Sequence, residues 1–224
     1  MPKRIKMKGP LIPNNSQEAY DYFGMEAVSA KAITDAFPED NSDIVLEVNS
    51  NGGLVTVGSE IYTALKSYPG HVTVEVTGMA ASAASVAIMG ADKILISPTA
   101  QIMIHKALFH WVSGNSDDLD KASNALKASD QAIVNAYVAK TGLSEEEILD
   151  MMKNETFMSA SSAVEKGFAD EVMTFDDVGA VASLESGLLP QAVIDDFYAN
   201  RSKRKSEIQN MLREIEKEEL LRGL

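Results

Sequence analysis

Two side chains in this sequence combine a reactive group with a setting that would let it act. The first is Ser82, in Gly78-Met79-Ala80-Ala81-Ser82-Ala83-Ala84-Ser85, where the apolar run Val72 to Val76 gives way to a small-residue helix ending near Gly90. A serine on a sharp strand-to-helix turn has an exposed hydroxyl, and the next backbone N–H stands unpaired at a helix start, facing any negative charge that develops nearby. A hydroxyl is a poor nucleophile at neutral pH, so it needs a base within hydrogen-bond reach and donors for the oxyanion formed on attack. His105, in Met103-Ile104-His105-Lys106, is the candidate base. The N–H of Ala83 is one candidate donor, and Gly52-Gly53, with no Cβ to block approach, could turn a second N–H toward the same place. Ser85, one turn beyond Ser82, is expected only to pack.

These residues matter only if the fold gathers them. Ile44 to Val48, Val72 to Val76, Lys93 to Ile96 and Gln101 to Ile104 read as strands, and helical segments are expected at Ser29 to Phe37, Val57 to Ser67 and after Ser82. Alternating strands and helices predict an α/β layer architecture with a largely parallel sheet. In such sheets the strand ends line the ligand crevice, which is where Gly52-Gly53, Ser82 and His105 would fall. Ile5 to Met7 reads weakly as an edge strand, and Pro10, Pro13, Asn14 and Asn15 mark a loop. From Ser116 a long helix carries Leu119, Ala122, Leu126, Ile133, Ala136 and Tyr137 at helical spacing and ends at Gly142. Ser144 opens a further helix with acidic residues at its positive end. Phe157-Met158 is strand-like, Ser159 to Lys166 is a short helix closed by Gly167, and Glu171 to Thr174 is a last strand.

Composition excludes several kinds of chemistry. The chain has 224 residues, 45% of them apolar, enough for one well-filled core and an appendage. The expected division is a domain at 1–177, a small-residue linker at 178–189 and a charged helical tail at 190–224. A formal charge of −13 argues against nucleic acid as a partner. With no cysteine there is no thiolate nucleophile, disulfide or cysteine–zinc site. His71 and His110 lack metal-ligand spacing, so no metal or other cofactor is expected. No Gly-rich phosphate loop with lysine is present, so ATP hydrolysis is not expected in this chain. No run approaches the ~18 apolar residues of a membrane span, and the basic start lacks an apolar h-region, so a cytoplasmic protein without membrane contact is expected.

Asn49-Ser50-Asn51-Gly52-Gly53, Gly78-Met79-Ala80-Ala81-Ser82, Met103-Ile104-His105 and the stretch Phe157 to Asp170, beginning Phe157-Met158-Ser159-Ala160, resemble the Clp peptidase (ClpP-type) serine proteases, in order and over about Ile44 to Thr174. The resemblance implies a ClpP/crotonase-like α/β fold of repeated β-β-α units, with a mostly parallel sheet and a long protruding helix. It implies Ser82 as nucleophile, His105 as general base, and the N–H groups of Gly53 and Ala83 as oxyanion donors. It also implies stacked homo-oligomeric rings, with heptamers as the implied size, acting on polypeptide and served by a separate AAA+ ATPase wherever unfolding needs ATP.

Three features depart from that pattern. Asn51 stands where the family usually has proline, and the tail after Asp176 is not shared in this form. The triad aspartate of the family falls at Glu155, which by resemblance takes the third role, with Asp150 and Asn154 as alternatives. The start, Lys3 to Gly9, and the tail are similar to the phage-encoded branch of head-maturation (prohead) proteases, which implies scaffold or capsid protein as substrate or partner. Two rivals are a crotonase-like acyl-thioester enzyme using the same oxyanion arrangement and a catalytically silent assembly protein.

Overall fold

A computed structural model describes residues 1–175, so the linker and tail expected at 178–189 and 190–224 lie outside the described residues. Seven strands form one sheet: β1 (Lys3–Lys8), β2 (Ile44–Ser50), β3 (Val72–Ala81), β4 (Lys93–Ile96), β5 (Gln101–Ile104), β6 (Thr156–Ser159) and β7 (Glu171–Val172). The main path runs β1-β2-β3-β4-β7, every pair parallel. The described helices are α1 (Gln17–Tyr22), α2 (Ala30–Thr34), α3 (Val55–Ser67), α4 (Ala83–Ile88), α5 (Ser116–Thr141), α6 (Glu145–Lys153) and α7 (Ala160–Glu165). The expected α/β class with a mostly parallel sheet is what the chain adopts.

Apolar runs account for the central strands. Ile44, Leu46 and Val48 of β2 and Val72, Val74 and Val76 of β3 are fully buried, while Thr73, Glu47 and Glu75 between them are only partly covered, so the core lies against one face of these strands. On β1 the alternation is clean: Ile5 and Met7 are buried, while Arg4 pairs with Glu75 and Lys8 lies 2.5 Å from Glu47. That charged row on an edge strand discourages pairing with a foreign strand.

The sequence suggested that β3 ends near Val76 and that Gly78 to Ser82 opens the helix. Instead β3 continues to Ala81 by changing partners. Thr73 to Val76 pair with β4, and Met79 to Ala81 pair with β5. The register against β2 shifts between Val48 and Ser50, and side chains cover the irregularity: Asn49 Oδ1 accepts from Met79 N at 3.1 Å, and Thr77 Oγ1 donates to Val48 O at 3.1 Å. Gly78 leaves room for this amide, because a Cβ would sit 2.5 Å from Asn49 Oδ1 and displace it.

A short 3-10 turn at Asn14–Ser16 and helix α1 follow where the prolines and asparagines suggest a loop. Helix α2 is shorter than expected, but Ser29 caps it, its side chain accepting from Ala32 N. Helix α5 starts on an Asn115/Asp118 capping box and ends at Gly142, in the left-handed region at φ 73°. Only its second half is buried, through Asp130, Ile133, Val134, Ala136 and Tyr137; Leu119 is 48% exposed. The apolar stripe expected along the whole helix therefore packs only from Asp130 onward.

Candidate active site

The change of partner in β3 builds the site. By bringing β5 alongside Met79–Ala81, it sets Ala81 opposite Met103, and Ser82 N donates to Met103 O at 2.9 Å. His105 lies two residues beyond Met103, and its Nε2 is 2.7 Å from Ser82 Oγ. An imidazole protonated on Nδ1 leaves Nε2 to accept the serine proton. Both residues are half-buried, within reach of a substrate yet partly shielded from water.

Ser82 has φ 54° and ψ −129°, a conformation non-glycine residues rarely adopt. Such strain costs on the order of 1–3 kcal/mol and persists only where the surroundings enforce it. Here the enforcement comes from both sides: β5 holds the Ser82 N–H, and α4, buried along all six residues, begins at once with Ala83. Gly58 of α3 allows α4 to approach, since a Cβ there would meet Ala83 O at 2.4 Å.

The loop after β2 lies directly against this turn. A Cβ on Gly52 would be 2.7 Å from Ser82 Cβ and 3.0 Å from Ala83 N, so the two strand-end turns touch backbone to backbone. Leu11 N donates to Gly52 O at 2.8 Å and Leu54 N donates to Leu11 O at 3.1 Å, which leaves the intervening Gly53 N–H outside that bridge. Neither the Gly53 nor the Ala83 N–H has a partner among the described residues. Ser50 sets the loop: its buried Oγ donates to Gly9 O at 2.6 Å and accepts from Gly52 N at 3.1 Å.

Ser85 does more than pack. It is completely buried, and its Oγ donates to the Ser82 carbonyl at 2.6 Å and lies 2.8 Å from Tyr137 Oη. With the serine proton committed to Ser82, Tyr137 is the donor in the second contact. A buried hydroxyl in an alanine-rich helix must find partners, and that is the signal that could have singled out Ser85. Asp130, not singled out from the sequence, accepts from Ala107 N at 2.8 Å, just past His105.

Glu155 occupies a left-handed turn at φ 47°, exposed, between α6 and β6. The last antiparallel pair of β5 and β6 is Ile104 with Thr156, so His105 and Glu155 are the next residue on each strand. The Glu155 carboxylate nevertheless makes no hydrogen bond or ion pair among the described residues, so the structure brings its backbone to His105 without joining the side chains. Asp150 accepts from Asn154 Nδ2 at 3.2 Å, an exposed pair on α6 and its cap. His71 Nδ1 lies 3.5 Å from Asp92 at the far end of β3, and His110 is exposed. Among the described residues no group of three or more His, Asp or Glu side chains could hold a metal ion, and no helix is long and apolar enough to cross a membrane.

Residues 25–176 match the family model described as Clp protease. Among curated proteins, the chain is 31% identical over 168 residues to the ATP-dependent Clp protease proteolytic subunit 1 of Chlamydia trachomatis serovar D, covering 70% of this chain and 88% of that protein. Against the subunit of the same description from Streptomyces avermitilis it is 30% identical over 166 residues, covering 73% of this chain and 76% of the other. The Deinococcus radiodurans proteolytic subunit is 34% identical over 134 residues, 58% of this chain and 65% of that protein.

Proposed function

The chain belongs to the Clp protease family, and on that footing we propose that it is a serine endopeptidase working through an acyl-enzyme on Ser82. The observation that carries the proposal is the 2.7 Å contact of His105 Nε2 with the Oγ of a serine held at positive φ beside unpaired backbone N–H groups. His105 accepts the Ser82 proton as Oγ attacks the peptide carbonyl carbon. The carbonyl oxygen, now negative, takes hydrogen bonds from the Gly53 and Ala83 N–H groups, which need no reorganisation to receive it. His105 then returns the proton to the leaving amine, and a water, deprotonated by the same imidazole, releases the acyl group. Glu155 orients the imidazolium from the β6 side.

Ring assembly with further copies of the chain follows from family membership and is supported by the exposed first half of α5, which offers Leu119 to a neighbour. Enclosure would restrict substrates to extended segments, with any ATP-driven unfolding supplied by a separate ATPase. The similarity of the chain ends to prohead proteases makes scaffold or capsid protein the substrate to try first.

The test is hydrolysis of an unfolded protein by the assembled full chain. Cleavage that vanishes in Ser82→Ala, with assembly retained, is expected. Cleavage that survives Ser82→Ala, or no cleavage of any polypeptide by the assembled protein, would overturn the proposal.

A further inference from the structure

Asp130 and Tyr137 are seven residues apart on α5, two helical turns, and so lie on one face. Of the buried residues of α5, they are the two whose side chains end in polar groups, at 9% and 1% exposure. A carboxylate or phenol is costly to bury without a partner, and each has one. Asp130 Oδ1 accepts from Ala107 N at 2.8 Å, while its Oδ2 lies 3.9 Å from Lys106 Nζ. Lys106 and Ala107 are the two residues that follow His105. Tyr137 Oη donates to Ser85 Oγ at 2.8 Å, and Ser85 Oγ donates to the Ser82 carbonyl at 2.6 Å. Burial pushes the Tyr137 phenol above its ordinary value, so it remains a donor across the working pH range. Tyr137 is braced from the side by Phe168, the ring centroids 5.4 Å apart.

One helix face thus holds both members of the 2.7 Å pair by separate routes: the chain leaving the base through Asp130, and the backbone of the nucleophile through Tyr137 and Ser85. We infer that Asp130 and Tyr137 are positioning residues that set the Ser82–His105 distance from α5, Asp130 through the Lys106–Ala107 segment and Tyr137 through Ser85. Neither touches the reacting atoms. The β5 contact to Ser82 N cannot do this alone, because β5 ends at Ile104 and the backbone beyond it needs another anchor.

The inference rests on the serine-peptidase proposal for its chemistry, and the test separates the two. Asp130→Ala, Asp130→Asn and Tyr137→Phe are prepared in the full chain, with Lys127→Ala on the exposed face of α5 as a control. The rate of Ser82 acylation by a fluorophosphonate is measured apart from its initial binding, and crystal structures of the variants give the Ser82 Oγ to His105 Nε2 distance. Asp130→Ala and Tyr137→Phe are expected to slow acylation about tenfold with binding unchanged, as loss of one buried hydrogen bond allows. Asp130→Asn, whose amide oxygen can still accept from Ala107 N, should recover most of the rate. In Asp130→Ala and Tyr137→Phe the Ser82–His105 contact should lengthen relative to the wild type's 2.7 Å. Wild-type rates in both variants, a loss matched by the fraction unfolded, or no recovery in Asp130→Asn would overturn the inference. If the wild type itself is not labelled, the peptidase proposal fails and the distances decide alone: an unchanged distance in Tyr137→Phe, one oxygen smaller than the native side chain, overturns the positioning roles.

Discussion

His105 and Glu155 are each the first residue beyond the last pair of the β5–β6 ladder, so their backbones are set opposite one another although their side chains share no hydrogen bond. In a serine triad the orienting carboxylate hydrogen-bonds the imidazole nitrogen that does not face the serine, and the register makes Glu155 the acid to test for that role. The positive φ of Glu155 turns the chain there and leaves its longer side chain exposed. Glu155→Gln is therefore expected to lower kcat/KM by about 10- to 100-fold, a smaller loss than removal of the base. Wild-type turnover in Glu155→Gln would move the orienting role elsewhere.

Removing the base itself should be far more damaging. His105→Ala is expected to lower turnover by several orders of magnitude while leaving circular dichroism and assembly unchanged, since a half-buried side chain at a strand end contributes little to the core. A loss of less than about tenfold would take His105 out of the mechanism.

Gly52 is held by geometry that no other residue can satisfy. Its φ of +93° is unfavourable to side chains, and a Cβ would meet the Ala81 carbonyl and Ser82 Cβ, each at 2.7 Å. Gly52→Ala should cost on the order of 1–3 kcal/mol by strain and push the Ser82 turn out of line. Thermal unfolding and peptide turnover measured together would check this; wild-type values of both would show that the two turns do not bear on each other.

Ser50 carries the adjoining loop through two hydrogen bonds from one hydroxyl. Ser50→Ala leaves the half-buried Gly9 carbonyl and the buried Gly52 N–H without their partner, a loss of about 1–3 kcal/mol. Denaturant unfolding would read it, and a change below about 0.5 kcal/mol would mean that neither bond contributes.

The charged face of β1 predicts an acid-sensitive contribution to stability. The hydrogen bond from Lys8 holds the Glu47 carboxyl below the ordinary carboxylate range. A carboxyl depressed in the folded state stabilises the fold above its unfolded pKa, and the contribution is lost as pH falls through the folded value. Glu47→Gln should therefore lower stability by under about 1 kcal/mol at neutral pH and show a smaller decline on acidification than the wild type. Parallel acid limbs for the two proteins would dismiss the contribution.

The α/β class, most strands and both ends of α5 were legible because apolar runs, caps and glycines act locally: Ser29, Ser144 and Gly142 are found in the capping roles their types suggest. The sequence also pointed to Ser82 and His105, which the structure sets in hydrogen-bond contact. The true end of β3 was hidden, because Met79 to Ala81 are strand only by virtue of β5, a partner distant in sequence. For the same reason Ser85 and Tyr137 read as packing residues, and Asp130 drew no notice. Their partners lie in elements brought together only by folding. The carboxylate of Glu155 could not be placed from its position in a motif, since backbone register and side-chain reach are separate matters.

The most direct measurement is the site of covalent attachment when the assembled full chain is treated with a fluorophosphonate and mapped by peptide mass spectrometry. A single adduct on Ser82, absent from Ser82→Ala and lost in His105→Ala, is the expected result. No adduct on folded, assembled protein, or an adduct on any other residue, would contradict Ser82 as the nucleophile.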